Sequence, residues 1–216
     1  EAAGAGGGGG EGRARLAEKE VSKKHRPDVD GGEAEEGVDY RWDGKLLFVL
    51  NDGLTVSGTT AVERVQVDAS DVTFDSVSIR IGEGVSSGYN IVYAGSSDCT
   101  LTLVGENELG GVGNYAIFTY NNLTVDGTGS LNIGNGVNGG IWTEGNLTIS
   151  GSVDVTMTIA VYNSIWSERG ITVEGAVNLT ATNSSPYTCV GAEYDIGIST
   201  SGRVELWNTG GYPAIG

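Results

Sequence analysis

From residue 54 onward, apolar and polar positions alternate in short bursts, and the bursts recur along the chain. Each burst is a large aliphatic or aromatic residue, Thr, a second apolar residue, one variable position and usually Gly. The copies are LTVSG from Leu54, VTFDS from Val72, LTLVG from Leu101, LTVDG from Leu123, LTISG from Leu147 and ITVEG from Ile171, with a degraded IGIST from Ile196. Alternation at a period of two predicts strands with one buried face. The intervals are 18, 29, 22, 24, 24 and 25 residues, so the spacing settles at 24. A fixed period of this length predicts stacked coils.

In that phase, Leu123, Leu147 and Ile171 form one interior column and Val125, Ile149 and Val173 a second. Gly127, Gly151 and Gly175 follow where a sharp corner needs positive φ or lacks room for a side chain. A second alternating segment comes after each corner: Leu131 and Ile133, then Val153 and Val155, then Val177 and Leu179. A third carries Ile117, Ile141, Ile165 and Cys189, spaced 24 apart. Three strands per coil give an all-β fold, a right-handed parallel β-helix with roughly 24-residue coils, assigned to residues 46–216. An antiparallel sandwich also has short strands and Gly turns, but it has no reason to hold three columns in one phase.

The ends differ from the middle. The first coils are irregular, as expected where turns accept insertions near a cap. The last residues, GGYPAIG, echo the approach to Ile117 and Ile141, so the chain is expected to stop partway round a coil, with further solenoid coils or domains beyond Gly216. Residues 1–45 hold 8 of the 12 Lys/Arg, 11 of the 28 Asp/Glu and a Gly run from Gly6 to Gly10. That composition predicts a disordered or partly helical tail.

Beyond the tail, 4 basic and 17 acidic residues leave a net charge of −13. Such a surface repels nucleic acid and anionic membranes, and no apolar run is long enough for direct membrane insertion. Cys99 and Cys189 form no CxxC and fall almost four coils apart, which predicts two buried free thiols.

Enzymatic constellations are sparse. The only His, His25, falls in the tail, and Arg64, Arg80, Arg169 and Arg203 are the only basic residues beyond it. Asp68, Asp71 and Asp75 cluster at a turn, where capping explains them. A noncatalytic role is the expectation. One residue beyond the isoleucine column stand Phe118, Trp142 and Trp166, again 24 apart, and alternation points them outward. Stacked aromatic faces suit sugar rings, and Thr143 and Ser167, like Thr119 before them, are read as polar partners for hydroxyls. Glu144 and Glu168, with Glu193 or Asp195 one coil on, form a candidate acidic column for calcium, whose ligands are oxygens. Thr55, Thr73, Thr102, Thr124, Thr148 and Thr172 make an outward Thr column that β-propensity explains. NxS/T matches at Asn122, Asn146, Asn178 and Asn183 arise from the repeat itself.

The stretches LTLVGENELGG from Leu101 and GNYAIFTYNNLTVDGTGSLNIGNGVNGGI from Gly113, with the two coils after them, resemble bacterial cell-surface right-handed β-helix proteins of the carbohydrate-binding-domain-containing type. The resemblance covers roughly residues 50–216. It implies an extracellular location on the bacterial cell surface, a polysaccharide or cell-wall glycan as partner and, in some members, calcium-assisted binding of acidic plant polysaccharide. A stalk or adhesin scaffold without its own ligand is the main rival reading, and a polysaccharide lyase or hydrolase the third.

Overall fold

The computed structural model describes residues 28–60, 64–81, 90–95, 97–134 and 136–216. The expected disorder of residues 1–27, and His25 with it, lies outside the described residues. The chain is a parallel β-solenoid of about six turns. Among the described residues the one helical piece is a 3-10 turn at Asp30–Gly32.

Each regular coil lays down three strands. The first face stacks Cys99–Val104, Leu123–Gly127, Leu147–Ile149, Ile171–Val173 and Ile196–Ile198. The second stacks Glu106–Gly111, Ser130–Gly134, Asp154–Ile159, Asn178–Asn183 and Val204–Asn208. The third runs from Leu46–Val49 through Arg64–Val67, Val92–Ala94, Gly113–Thr119, Val137–Thr143 and Ile165–Ser167 to Val190–Ala192. The first two faces form one sheet because Asp71–Ile81 crosses their shared corner, pairing Val72 with Leu101 before the bend and Ser78 with Glu108 after it. The bend sits at Ser76, whose φ of 56° is the left-handed conformation that glycine takes elsewhere.

The pairing corrects the expected register in four places. Leu123 pairs with Cys99, not Leu101, so the apparent 22-residue step is a full 24 and the outward partner of Thr124 is Thr100; Thr102 instead faces Asp126. On the second face the column is Leu131, Val155 and Leu179, while Val153 and Val177 are buried at the corner before it. On the third face Ile165 pairs with Val190. Cys189 follows Ala116, Gly140 and Ser164 in a neighbouring buried position. Finally, residues 28–45 are not tail. Asp28–Val29 pairs antiparallel with Val56 and Ser57, and Tyr40–Trp42 pairs antiparallel with Leu47–Val49, with Val29 and Tyr40 buried. Together they close the first strand edge of the stack, which would otherwise invite pairing with another chain.

Corner glycines behave as expected. Gly151 has a φ of +74°, and a Cβ there would lie 2.2 Å from Asp126 Oδ1 and 2.5 Å from the Gly127 carbonyl. Gly127 and Gly175 share the positive φ. At the far end, Ala214–Gly216 hydrogen-bonds to Val190 and Ala192, so the final residues occupy the third face as their echo of earlier coils predicts. Both cysteines are free and buried. Burial, with help from Asp71 and Asp52, pushes the Cys99 thiol up to about 11. Burial also raises Cys189, against the opposing effect of its contacts with the backbone at Asn183 and Trp207.

Candidate aromatic groove on the third face

The third-face register brings Phe118, Trp142 and Trp166 into one outward column, as expected. The column is longer than the sequence reading found. Phe48, Gln66 and Tyr93 precede Phe118 in it, and Gly191 follows Trp166. The rings are half-buried, and those from Tyr93 to Trp142 touch one another. Tyr93 stacks on Phe118 at 6.0 Å and 3°, and Phe118 tilts against Trp142 at 6.2 Å.

A second row of rings runs beside this column. Tyr115 meets Trp142 edge to face at 4.9 Å and stacks on Tyr162 at 5.5 Å, and Tyr162 meets Tyr187 at 6.1 Å. Tyr120 closes the other end against Tyr93 and Phe118. The contacts form one chain of seven rings, most pairs in the stacked or edge-to-face geometries that aromatic quadrupoles favour and two, Tyr115–Phe118 and Phe118–Trp142, tilted between them. Two glycines make this possible. A Cβ on Gly139 would sit 2.2 Å from the Tyr115 ring, and one on Gly191 would sit 2.7 Å from Trp166. Each large ring lies over the bare backbone of the coil above it. Burial raises the pKa of Tyr115, and nearby Tyr162 and Tyr187 add to the effect.

Between the two rows, toward the later coils, opens a groove of about 770 Å³. Trp142 and Trp166 line it with Tyr162, Tyr187 and Tyr212, and Glu168 and Glu193 supply its charge. Tyr162, Tyr187 and Tyr212 are spaced 25 residues apart, a period visible in the sequence but obscured by holding to 24.

Several expected site residues lie elsewhere. Thr143 and Ser167 are buried and face inward. The Thr143 hydroxyl donates to the Gly145 carbonyl at 2.8 Å, and Ser167 Oγ bonds to the Gly145 and Gly170 carbonyls. Thr119 is likewise buried, its Oγ1 accepting from the Asn121 N–H. These hydroxyls fasten a corner and offer nothing to a ligand.

The acidic set also divides. Glu144, Glu168 and Glu193 share an outward column, their N–H groups donating to the carbonyls of Thr119, Thr143 and Ser167. Asp195 belongs to the next corner, where its carbonyl accepts from Ile171. That corner carries a ladder of side chains: Asp98 accepts from Asn122, Asn122 from Asn146, and Asn146 from the Gly170 N–H. Asn178 and Asn183 are engaged in similar bonds, to Asp154 and to the Tyr162 carbonyl. Burial, and then the charge of Glu168, raises the pKa of Glu144. Among the described residues, no three His, Cys, Asp or Glu side chains converge to hold a metal ion. The structure thus does not bring the expected calcium set of Glu144, Glu168, Glu193 and Asp195 together at one point.

Of the Asp68, Asp71 and Asp75 cluster, Asp71 alone caps a backbone turn, while Asp68 and Asp75 accept from side chains, Asp75 from the Ser76 hydroxyl at 3.0 Å. Asp71 accepts from the Gly53 N–H at 2.8 Å and Asp68 from Gln66 at 2.9 Å. No known protein family, curated protein or solved structure matches this chain.

Proposed function

We propose that this protein binds carbohydrate noncatalytically in the third-face groove, with Trp142 and Trp166 as the stacking platform, in the bacterial cell-surface setting that the sequence resemblance implies. The observation that carries the reading is the groove itself. It is a concave, half-open channel walled by six aromatic rings, Tyr115 among them, and rimmed by Asn114, Asn163 and Thr188. The C–H faces of a pyranose pack on such rings while the rim takes hydroxyls, the mix of apolar wall and few polar groups that ligand sites favour. Extended apolar surface of this kind is seldom left exposed without a use.

A ligand-free stalk or adhesin scaffold is the second reading, favoured by the rings packing on one another. A Trp142→Ala/Trp166→Ala pair separates the two. Loss of retention on a glycan array with an unchanged far-ultraviolet spectrum is the expected result. Unchanged retention, or no retention of any glycan by the parent protein, would leave the scaffold reading.

A further inference from the structure

The two ends of the outward aromatic column are finished with opposite charge. At the N-terminal end the protein covers its own rings with cations: the Arg41 guanidinium sits 4.0 Å from the Phe48 centroid and Arg64 5.3 Å from that of Tyr93. At the groove end, the charged side chains that line the channel are both carboxylates, Glu168 and Glu193. They stand on adjacent coils, at the roughly 4.8 Å spacing of neighbouring strands. Among the described residues neither forms a salt bridge, whereas on the second face Arg80 pairs with Glu108 and Arg203 with Glu205. Arg169, next to Glu168 in the chain, leans instead over the Tyr194 ring at 5.7 Å.

We infer that the groove selects a glycan bearing protonated amino groups, seating an amino sugar on Trp142 and Trp166 with its ammonium between Glu168 and Glu193. The inference rests on the carbohydrate reading above and names the class of sugar. Aromatic faces and carboxylates both attract a cation, and here they line one channel. An N-acetylated sugar offers the same stacking face but leaves the two carboxylates without a partner. A uronic acid polymer is repelled by them and by the net charge of −13 on residues 46–216.

The test is calorimetric titration of the full chain with short oligomers of glucosamine and of N-acetylglucosamine, matched in length. A pH of about 6 keeps carboxylates ionised and amines protonated. The free-amine oligomer is expected to bind about tenfold more tightly at low salt, with the gap narrowing as salt screens the charges. Glu168→Gln/Glu193→Gln should bring the two oligomers to parity with no loss of melting temperature, and either single variant should lie between. Equal affinities for the two oligomers would overturn this inference and leave the carbohydrate reading standing. Binding of neither would also overturn this inference, and the carbohydrate reading would then stand or fall on the glycan array alone. A preference that survives the double variant would overturn the assignment to these carboxylates.

Discussion

The early and late coils use the same outward column in opposite ways. Phe48 and Tyr93 are covered by arginines that the protein supplies, so that half of the ladder is finished by internal packing. Trp142 and Trp166 line an open groove whose charged groups are carboxylates. The backbone differs in parallel. Column intervals on the third face are 18 residues from Leu47 to Val65 and 27 from Val65 to Val92, whereas Ile117, Ile141 and Ile165 keep 24. Regular coils align identical side chains at one height per layer, and this alignment lets rings and carboxylates form continuous rows. The irregular coils serve as a cap.

The largest test of this contrast is at the corners. Gly151→Ala combines positive φ with a collision against the backbone of the coil below, and is expected to cost about 3 kcal/mol. Gly31→Ala in the cap keeps the strain of a φ of +60° but meets nothing within 4 Å, so about 1 kcal/mol is expected. Denaturant unfolding of the two variants should rank them so; equal losses would show that layer-on-layer crowding is not what fixes the regular coils.

Next comes the ladder. Tyr93→Ala removes stacking on Phe118 and an edge contact to Tyr120, and should cost about 1–3 kcal/mol of stability while sparing glycan retention. If it abolished retention as the Trp142/Trp166 pair is expected to, the ladder would be one functional surface with no divided roles.

The smallest effects are electrostatic. In the cap and first coil, Asp39 is held below the usual carboxylate range by the Glu35 N–H and then Asn51, and Asp52 chiefly by the Ser70 N–H. A lowered pKa means a stabilising contribution that is present at neutral pH and lost as pH falls through the folded-state value. Glu144 has the opposite sign: its raised pKa is a cost at neutral pH that disappears as acid protonates it. Asp39→Asn/Asp52→Asn should therefore lower the unfolding midpoint at neutral pH, and Glu144→Gln should raise it. Both differences should close under acid, that of Glu144 first.

Much of the architecture could be read from the chain because a 24-residue period leaves few alternatives. Register was harder. A strand that alternates at a period of two matches itself when slid by two residues, and CTLTL from Cys99 contains the signature at both settings. The corner resolves the ambiguity: Gly127 lies against the backbone of Leu103, so Gly105, which the shorter step had aligned with it, falls two residues later. The aromatic column was legible for the same reason as the core, since Trp142 must point out if Ile141 points in. That alternation also sends Thr143 inward, where its hydroxyl replaces a backbone partner at the turn. Polarity alone suggested a ligand contact. The row of Tyr162, Tyr187 and Tyr212 was hidden because two successive coils, Ile165 to Val190 and Val190 to Ile215, each carry one extra residue and shift it to a 25-residue spacing.

The two buried thiols have a use unrelated to any ligand. A stack in which each coil touches only its neighbours can fray from one end while the other stays closed. Cys99 lies within the stack and Cys189 one layer from its last strand, where its thiol contacts the Trp207 carbonyl at 3.2 Å. Both are held protonated and out of reach of a thiol reagent while folded. The order in which they become alkylated would record the direction of unzipping, using reporters already built into the chain.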